Sequence, residues 1–144
     1  MPSPERRVDD TVSQEYESMV LEAVKSLGLQ ADFVEDTPKI RMWRVYTEFG
    51  KLLIRIEGSH LLKLQVIYAR PDELSPASAL VFANKWNLQK RFTKLAVHTE
   101  DNTVMQLEYD ADLQHAQLAA VREMIEIFRR AMLTLVFEMH NELK

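Results

Sequence analysis

The sequence contains no cysteine and only three glycines among its 144 residues. The absence of cysteine excludes disulfide bonds, thiolate nucleophiles and metal sites with cysteine ligands. Three isolated glycines cannot supply a Gly-x-Gly-x-x-Gly fingerprint or a phosphate-binding loop, and no Gly-x-Ser-x-Gly nucleophile elbow occurs. The common nucleotide-binding and serine-hydrolase motifs are therefore excluded, and the lack of cysteine fits a reducing compartment.

Long apolar runs are also lacking. No segment approaches the length that crosses a membrane, and the opening stretch "MPSPERRVDD" has no apolar core of the kind found in signal peptides. The net charge of −4 makes the whole chain a poor electrostatic match for nucleic acid or anionic lipid. We therefore predict a cytoplasmic, soluble protein without a membrane partner. Nucleic acid is disfavoured as a partner, unless a local basic patch overrides the average charge.

The composition that is present is that of a folded domain, with 47% hydrophobic and 28% charged residues. A chain of this length can form one domain with a substantial core. Residues 1–10 are polar and contain two prolines, so we predict a flexible N-terminal tail there. Residues 11–144 are predicted to form a single domain.

A first helix is predicted from the apolar rhythm of residues 12–27. Thr11 and Gln14 form a capping-box pattern at its start. Gly28 stands where a residue of left-handed conformation would end the helix.

A second helix is predicted to begin at Pro76, with Ser75 as its N-cap, and to run to about Gln89. Proline is tolerated at the first helical position because its missing amide would have no partner there. The side chains predicted to face the core are Ala79, Leu80, Ala83 and Trp86.

Extended segments occupy the middle of the chain. Alternation of apolar and polar residues over residues 40–69 predicts a three-stranded antiparallel meander with one solvated face. A weaker, shorter strand is predicted at residues 32–35, and two further strands at 92–98 and 104–109, joined by a turn at 99–102. With the helices, the order α-β-β-β-α-β-β-α predicts an α+β fold built on an antiparallel sheet.

A long C-terminal helix is predicted from Leu113 to Leu143. Its main apolar stripe alternates steps of three and four residues, and additional apolar residues widen it toward the C-terminus. One sheet face does not cover such a width, so we predict a homodimer that uses part of this helix. The candidate interaction residues are Phe128, Met132, Leu133, Val136, Phe137 and Met139.

Residues able to carry catalysis are few and scattered. The four histidines lie far from any metal-binding spacing and are interpreted as turn or surface residues: His60, His98, His115 and His140. Ser75 and Ser78 are better explained as helix-start residues than as nucleophiles. The carboxylates of residues 100–101 and 108–112 lie at a turn and a strand end, where solvent keeps them ordinary. We predict no catalytic residue, no metal and no cofactor.

The stretch "FANKWNLQKRF", residues 82–92, has two interpretations. Aromatic residues interleaved with cations can bind nucleic acid, and the cations here are Lys85, Lys90, Arg91 and Lys94. The preferred interpretation is a junction between helix and strand with a solvated basic rim. In it, Trp86 anchors the helix in the core, Asn87 satisfies backbone groups at the helix end, and Phe92 starts the next strand.

The same stretch continues as "TKLAVH" and, after a turn, as "VMQLEYDADL". Together they resemble the core of the YbjN family, described as bacterial sensory transduction regulators. Matching positions are Trp86-Asn87, Arg91-Phe92, Lys94, Asp110 and the final helix, most specifically over residues 78–112 and loosely over 15–140. The turn lacks the glycine often seen in the family, and Leu95 follows Lys94. The resemblance implies a fold similar to type III secretion chaperones, which often dimerise and bind extended peptides.

Three functions are compatible with these observations, one of them being the nucleic-acid binding through Lys85, Lys90, Arg91 and Lys94 described above. The preferred one is a non-enzymatic protein-interaction or regulatory module in bacterial signalling or stress response, which binds a partner polypeptide in a chaperone-like way. An exposed sheet edge could add a strand from that partner. The third is a small-ligand-binding protein or an enzyme whose site is assembled from scattered residues.

Overall fold

The computed structural model describes residues 11–98 and 104–143, which form three helices and a six-stranded antiparallel sheet. The strands lie in the order β1-β2-β3-β4-β6-β5, and the fold is α+β as predicted. In chain order the elements are α1 (Gln14–Ser26), β1 (Ala31–Thr37), β2 (Ile40–Thr47), β3 (Gly50–Glu57), β4 (Leu61–Ala69), α2 (Pro76–Gln89), β5 (Lys94–Val97), β6 (Val104–Asp112) and α3 (Leu118–Glu142).

One face of the sheet is buried beneath the helices, and the other carries charged and polar side chains. In β3, for example, Leu52, Ile54 and Ile56 are fully buried, whereas the residues between them are not. Successive side chains of a strand point to opposite faces, so this alternation defines a single buried face. The buried residues of strands and helices form one hydrophobic cluster.

The predicted meander is confirmed as β2, β3 and β4, joined by short turns. The weak strand predicted at residues 32–35 is confirmed and is longer, since β1 spans Ala31–Thr37. Its register shifts between Phe33 and Glu35, so Val34 forms a bulge. This irregularity explains why strict alternation was weak in that part of the sequence.

Helix α1 ends as predicted but begins differently. Gly28 has a φ of 74°, the left-handed conformation that favours glycine, and its amide donates to the carbonyl oxygen of Lys25. The predicted capping box of Thr11 and Gln14 is wrong, because the N-cap is Ser13, and its side chain makes no capping hydrogen bond.

Helix α2 has the predicted limits, and the Ser75 hydroxyl accepts a hydrogen bond from the amide of Ser78. The prediction that Leu80 faces the core is wrong, since this side chain is exposed and Phe82 is buried instead. The buried stripe steps by three, one and three residues, and Leu80 lies outside it. Its members are Ala79, Phe82, Ala83 and Trp86.

The two strands after α2 differ from their predicted limits. Strand β5 covers only Lys94–Val97, so the prediction that Phe92 starts it is wrong; Phe92 lies before the strand and is 58% exposed. Strand β6 extends to Asp112, beyond the predicted end at Tyr109. The predicted turn at 99–102 and the predicted tail at 1–10 lie outside the described residues.

Helix α3 begins at Leu118 rather than at the predicted Leu113. The amide of Leu113 instead donates to the carbonyl oxygen of His60, at 2.7 Å, and so holds the chain against the β3–β4 turn. His115 then adopts a φ of 66°, which a helix does not allow. The predicted apolar stripe begins at Leu118, which is exposed. Its remaining residues are buried: Val121, Ile125, Phe128, Met132, Leu135 and Met139.

Trp86 is the largest side chain that α2 contributes to the core. The residue is only 3% exposed, and its indole N–H donates to the hydroxyl of Thr93 at 3.1 Å. This confirms that Trp86 points inward. The hydrogen bond also ties the end of α2 to the segment before β5, so a single side chain both fills the core and fixes the junction.

Replacement of Trp86 by alanine should lower the free energy of unfolding by about 3–5 kcal/mol, because a large buried side chain is lost and a cavity remains. Urea denaturation followed by circular dichroism measures this change. Lys85→Ala, an exposed neighbour on the same helix, is the control and should change stability by less than about 0.5 kcal/mol. Equal stability of the Trp86→Ala variant and the wild type would contradict the structural role.

Candidate interaction surfaces

The structure divides the predicted interaction residues of α3 into two groups. Phe128, Met132 and Met139 are buried in the core of the chain itself, so a partner has no access to them. The others are exposed and lie at spacings of three and four residues on the outer side of the helix. We call them the α3 patch: Leu133, Val136 and Phe137, the last being 62% exposed.

A second apolar surface lies on α2, where the sequence analysis did not place one. Val81 and Leu88 are seven residues apart, so they share one face of the helix, and Leu80 lies beside them. All three are exposed, Leu88 by 88%. The sequence contains this second apolar stripe opposite the buried one. It was missed because Leu80 was predicted to face the core. We call these residues the α2 patch.

Of the two edges of the sheet, the β5 edge is blocked by a side chain. The side-chain oxygen of Asn87 accepts from the amide of Leu95 at 2.7 Å, and its nitrogen donates to the carbonyl oxygen of Leu95 at 2.9 Å. Since both backbone groups of Leu95 bond to Asn87, they point away from β6 and lie on the outer edge. Asn87 does satisfy backbone groups where the helix ends, as predicted, but these groups belong to Leu95 of β5 rather than to the helix.

Within the described residues, the β1 edge is not blocked by a side-chain amide in this way. Strand β1 pairs with β2 on one side, and no other strand of the described residues pairs with its outer side. Phe33, 52% exposed, contacts the ring of Trp43 edge-on with centroids 6.4 Å apart, and Val34 at the bulge is exposed as well. Within the described residues, the outer side of β1 therefore has no partner strand and has accessible apolar side chains beside it, although the Thr37 carbonyl oxygen at the end of the strand accepts from the Arg41 side chain. A sheet edge of this kind can receive an added strand.

A groove lies between residues 89–93 and α3, with a volume of about 430 Å³. Its base is formed by Trp86 together with Ile127 and Ala131 of α3. At one side Lys90 spans from α2 to α3: its Nζ atom is 3.3 Å from the Glu138 carboxylate and 5.0 Å from the centre of the Trp86 ring. The end of the stretch "FANKWNLQKRF" therefore forms one wall of this groove.

The four cations of that stretch do not form one patch. Lys90 and Arg91 line the groove, whereas Lys85 lines a neighbouring cavity beside Asn141 and Glu142. Lys94 lies on the face of the sheet that the helices leave bare, aligned with Glu108 of β6. This separation removes the geometric basis for reading the stretch as a continuous nucleic-acid surface.

Two side chains with displaced pKa values lie at or near the β2–β3 turn. Backbone hydrogen bonding, helped by Arg129, lowers the pKa of Glu48, while burial raises the pKa of Tyr68 to about 12. The Tyr68 hydroxyl donates to the carbonyl oxygen of Phe49 at 2.6 Å, and a side chain at Gly50 would approach the Tyr68 ring to 3.1 Å. The hydrogen bond from Tyr68 to Phe49 ties β4 to the β2–β3 turn. The contact between Glu48 and Arg129, at 3.1 Å, joins the same turn to α3.

A serine, a histidine and an aspartate converge at the β3–β4 turn. The Ser59 hydroxyl is 2.6 Å from Nδ1 of His60, but Nε2 of His60 is 3.7 Å from the Asp112 carboxylate, too far for a hydrogen bond. The Asp112 carboxylate instead accepts from the amide of Gln114 at 2.7 Å. These three residues therefore do not form a relay that activates a nucleophile, and their contacts hold the loop in place.

Over residues 11–98 and 104–143, no group of three histidine, aspartate or glutamate side chains is placed to hold a metal ion. Within the same residues, no helix has the length and apolar character that crossing a membrane requires. The accessible features of the described chain are thus apolar patches, a sheet edge and a groove.

Solved structures with the same fold include two type III secretion chaperones. The Yersinia pestis chaperone SycH in complex with a fragment of YscM2 matches with a TM-score of 0.58 and 14% identity, covering 83% of this chain and 98% of that one. The HopA1-SchA chaperone–effector complex matches with a TM-score of 0.56 and 13% identity, covering 83% and 91%. The chain therefore has the fold of this class of chaperones.

An uncharacterized protein from Methanothermobacter thermautotrophicus matches with a TM-score of 0.67 and 12% identity, covering 89% of this chain and 99% of that one. A comparison with curated protein sequences gives no match. The family model YbjN, "Putative bacterial sensory transduction regulator", matches residues 17–141. The chain belongs to the YbjN family, as the resemblance of residues 78–112 predicted.

Replacement of Asn87 by alanine should remove both hydrogen bonds to Leu95 and leave the β5 edge open. We expect the free energy of unfolding to fall by about 1–3 kcal/mol, because buried backbone groups lose their partners, and we expect concentration-dependent association through the freed edge. Urea denaturation and light scattering measure the two effects. Asn84→Ala, one turn earlier and exposed, is the matched control; the same behaviour in both variants would contradict the edge-blocking role.

Proposed function

We propose that this chain is a non-enzymatic regulatory module that binds a partner polypeptide in a chaperone-like way, in bacterial signalling or stress response. The observation that carries the proposal is the contrast between the two sheet edges. The β5 edge is closed by Asn87, while no strand of the described residues pairs with the outer side of β1, beside the exposed Phe33 and Val34. An extended partner segment would add to the sheet there through backbone hydrogen bonds.

The comparisons support this proposal at the level of class. The two chaperones of the same fold were solved in complex with a partner polypeptide or an effector, according to their descriptions. The family description points to a regulator. A cytoplasmic location remains a prediction from the sequence.

The alternative of an enzyme or a small-ligand-binding protein requires a pocket that holds several polar groups with displaced pKa values. Glu48 and Tyr68, which have displaced values, are instead engaged in contacts at the β2–β3 turn. No specific observation favours this alternative, so polypeptide binding is the function that the geometry supports.

An affinity capture from native lysate, followed by rebinding of the purified partner, tests strand addition. Val34→Lys places a charge on the β1 edge and should weaken partner binding at least about tenfold, because inserted lysines blunt edge pairing. Lys94→Ala, on the bare face of the sheet, is the control and should bind like the wild type. Equal binding by the Val34→Lys variant would refute strand addition at β1.

We further propose that two copies of the chain associate through the α3 patch, whose residues would pack against their own counterparts about a twofold axis. Leu133→Asp and Phe137→Asp should convert the wild-type dimer to a monomer that remains folded, since both side chains are exposed in the single chain. Light scattering at tens of micromolar protein, with circular dichroism as the folding check, measures this change.

Arg122→Asp, an exposed position in the first part of α3, is the control for an added charge on the helix and should remain dimeric. A wild-type monomer at this concentration would contradict the dimer. A dimer that survives both α3 changes but dissociates in Val81→Asp would assign association to the α2 patch instead.

A further inference from the structure

The groove between residues 89–93 and α3 combines a fixed apolar base with an accessible aromatic wall. Trp86 is held at the base by its hydrogen bond to Thr93, and Ile127 and Ala131 complete the base from α3. The wall is Phe92, whose ring rests 6.3 Å from that of Tyr109 while more than half of the residue stays exposed. Such a groove can receive apolar side chains without rearrangement.

The charge of the groove is opposite to that of the chain as a whole. Its lining includes Lys90, Arg91 and Arg130 but no carboxylate, on a protein with a net charge of −4. Lys90 is paired with Glu138. Arg130 is 3.7 Å from Glu123 in a solvent-exposed pair, and Arg91 makes no ion pair within the described residues. Arg91 is therefore available to an anionic group entering the groove. Arg130 can turn toward the same group because its exposed ion pair is weak, although its Nε also donates to the carbonyl oxygen of Glu126 at 3.4 Å.

The positions of the neighbouring carboxylates limit what that anionic group is. Glu138 and Glu123 lie directly beside Lys90 and Arg130, so a polyanionic strand passing over the groove would meet negative charge on both sides. A single carboxylate at Arg91 and Arg130 meets less of this repulsion, because it brings one negative charge rather than a row of them. The volume of about 430 Å³ suits a few side chains, within the usual range of ligand sites.

We propose that this groove binds a short polypeptide segment in which a carboxylate stands next to apolar side chains, the carboxylate meeting Arg91 and Arg130 and the apolar groups resting on Trp86 and Phe92. The groove would be a second binding site for the partner polypeptide, and to that extent this proposal rests on the proposed function. It requires no participation of the β1 edge.

The test uses a capped synthetic peptide in which one aspartate stands between leucine and phenylalanine, and a counterpart with asparagine in place of the aspartate. Binding to the full chain is followed by the ¹H–¹⁵N signal of the Trp86 indole, at peptide concentrations up to about 1 mM. The aspartate peptide should shift this signal and bind about fivefold more tightly than its asparagine counterpart. Arg91→Gln and Arg130→Gln should each weaken it by about twofold to fivefold, as expected for exposed ion pairs.

Lys94→Gln removes the same charge from the other face of the sheet and is the matched control, with unchanged affinity expected. Absence of binding, equal binding of the asparagine peptide, or unchanged affinity in both arginine variants would overturn the proposal. Tighter binding of a single-stranded DNA oligonucleotide with the same arginine dependence would assign the groove to a nucleic acid and also overturn it.

The Val34→Lys variant separates this inference from strand addition. Arginine-dependent binding of the aspartate peptide that persists in Val34→Lys supports the groove, whatever the β1 edge does. Loss of that binding in Val34→Lys would place the peptide on the β1 edge and overturn the groove.

Discussion

The structure depends on covering one apolar face of a single sheet. Six strands present that face, and the helices must supply enough apolar surface to remove it from water. Helix α3 does so with a stripe from Val121 to Met139, and it also packs against α1, while α2 packs against β5 and reaches the core through Trp86. The candidate binding surfaces of the described residues lie around this core, and Trp86 belongs both to the core and to the base of the groove.

The two edges of the sheet differ in whether they can pair with another strand. At β5, a side-chain amide reproduces the two hydrogen bonds that a neighbouring strand would make, and it does so from a helix that is itself anchored by Trp86. At β1, no equivalent group lies among the described residues, and a bulge places Val34 outward. A protein that blocks one edge and leaves the other open can receive a strand on one side without polymerising through both.

Much of the architecture was predictable because it follows from local patterns. The meander of β2 to β4, the start of α2 at Ser75-Pro76 and the inward position of Trp86 each rest on periodicity or capping. The errors arose where tertiary contacts override such patterns. Leu113 continues an apolar rhythm, yet its amide bonds to His60 and delays α3. The backbone groups that Asn87 satisfies belong to a strand eight residues away, which local patterns do not show.

The candidate sites were less predictable than the fold, for a related reason. The sequence shows that α3 has more apolar residues than one stripe requires. Which of these residues are buried in the core depends on how α1 and the sheet pack against the helix. Phe128 and Met132 are therefore buried, while Phe137 is free for a partner. The groove beside Phe92 joins segments that are about forty residues apart in the chain, so only the folded structure shows it.

The central claim is that the β1 edge receives a polypeptide strand while the β5 edge stays closed. Amide hydrogen exchange of the chain, alone and bound to its captured partner, tests it most directly because exchange reports backbone hydrogen bonding strand by strand. The account predicts slower exchange over Ala31–Thr37 in the complex and no change over Lys94–Val97. Unchanged exchange in β1, with protection appearing at β5, would contradict it.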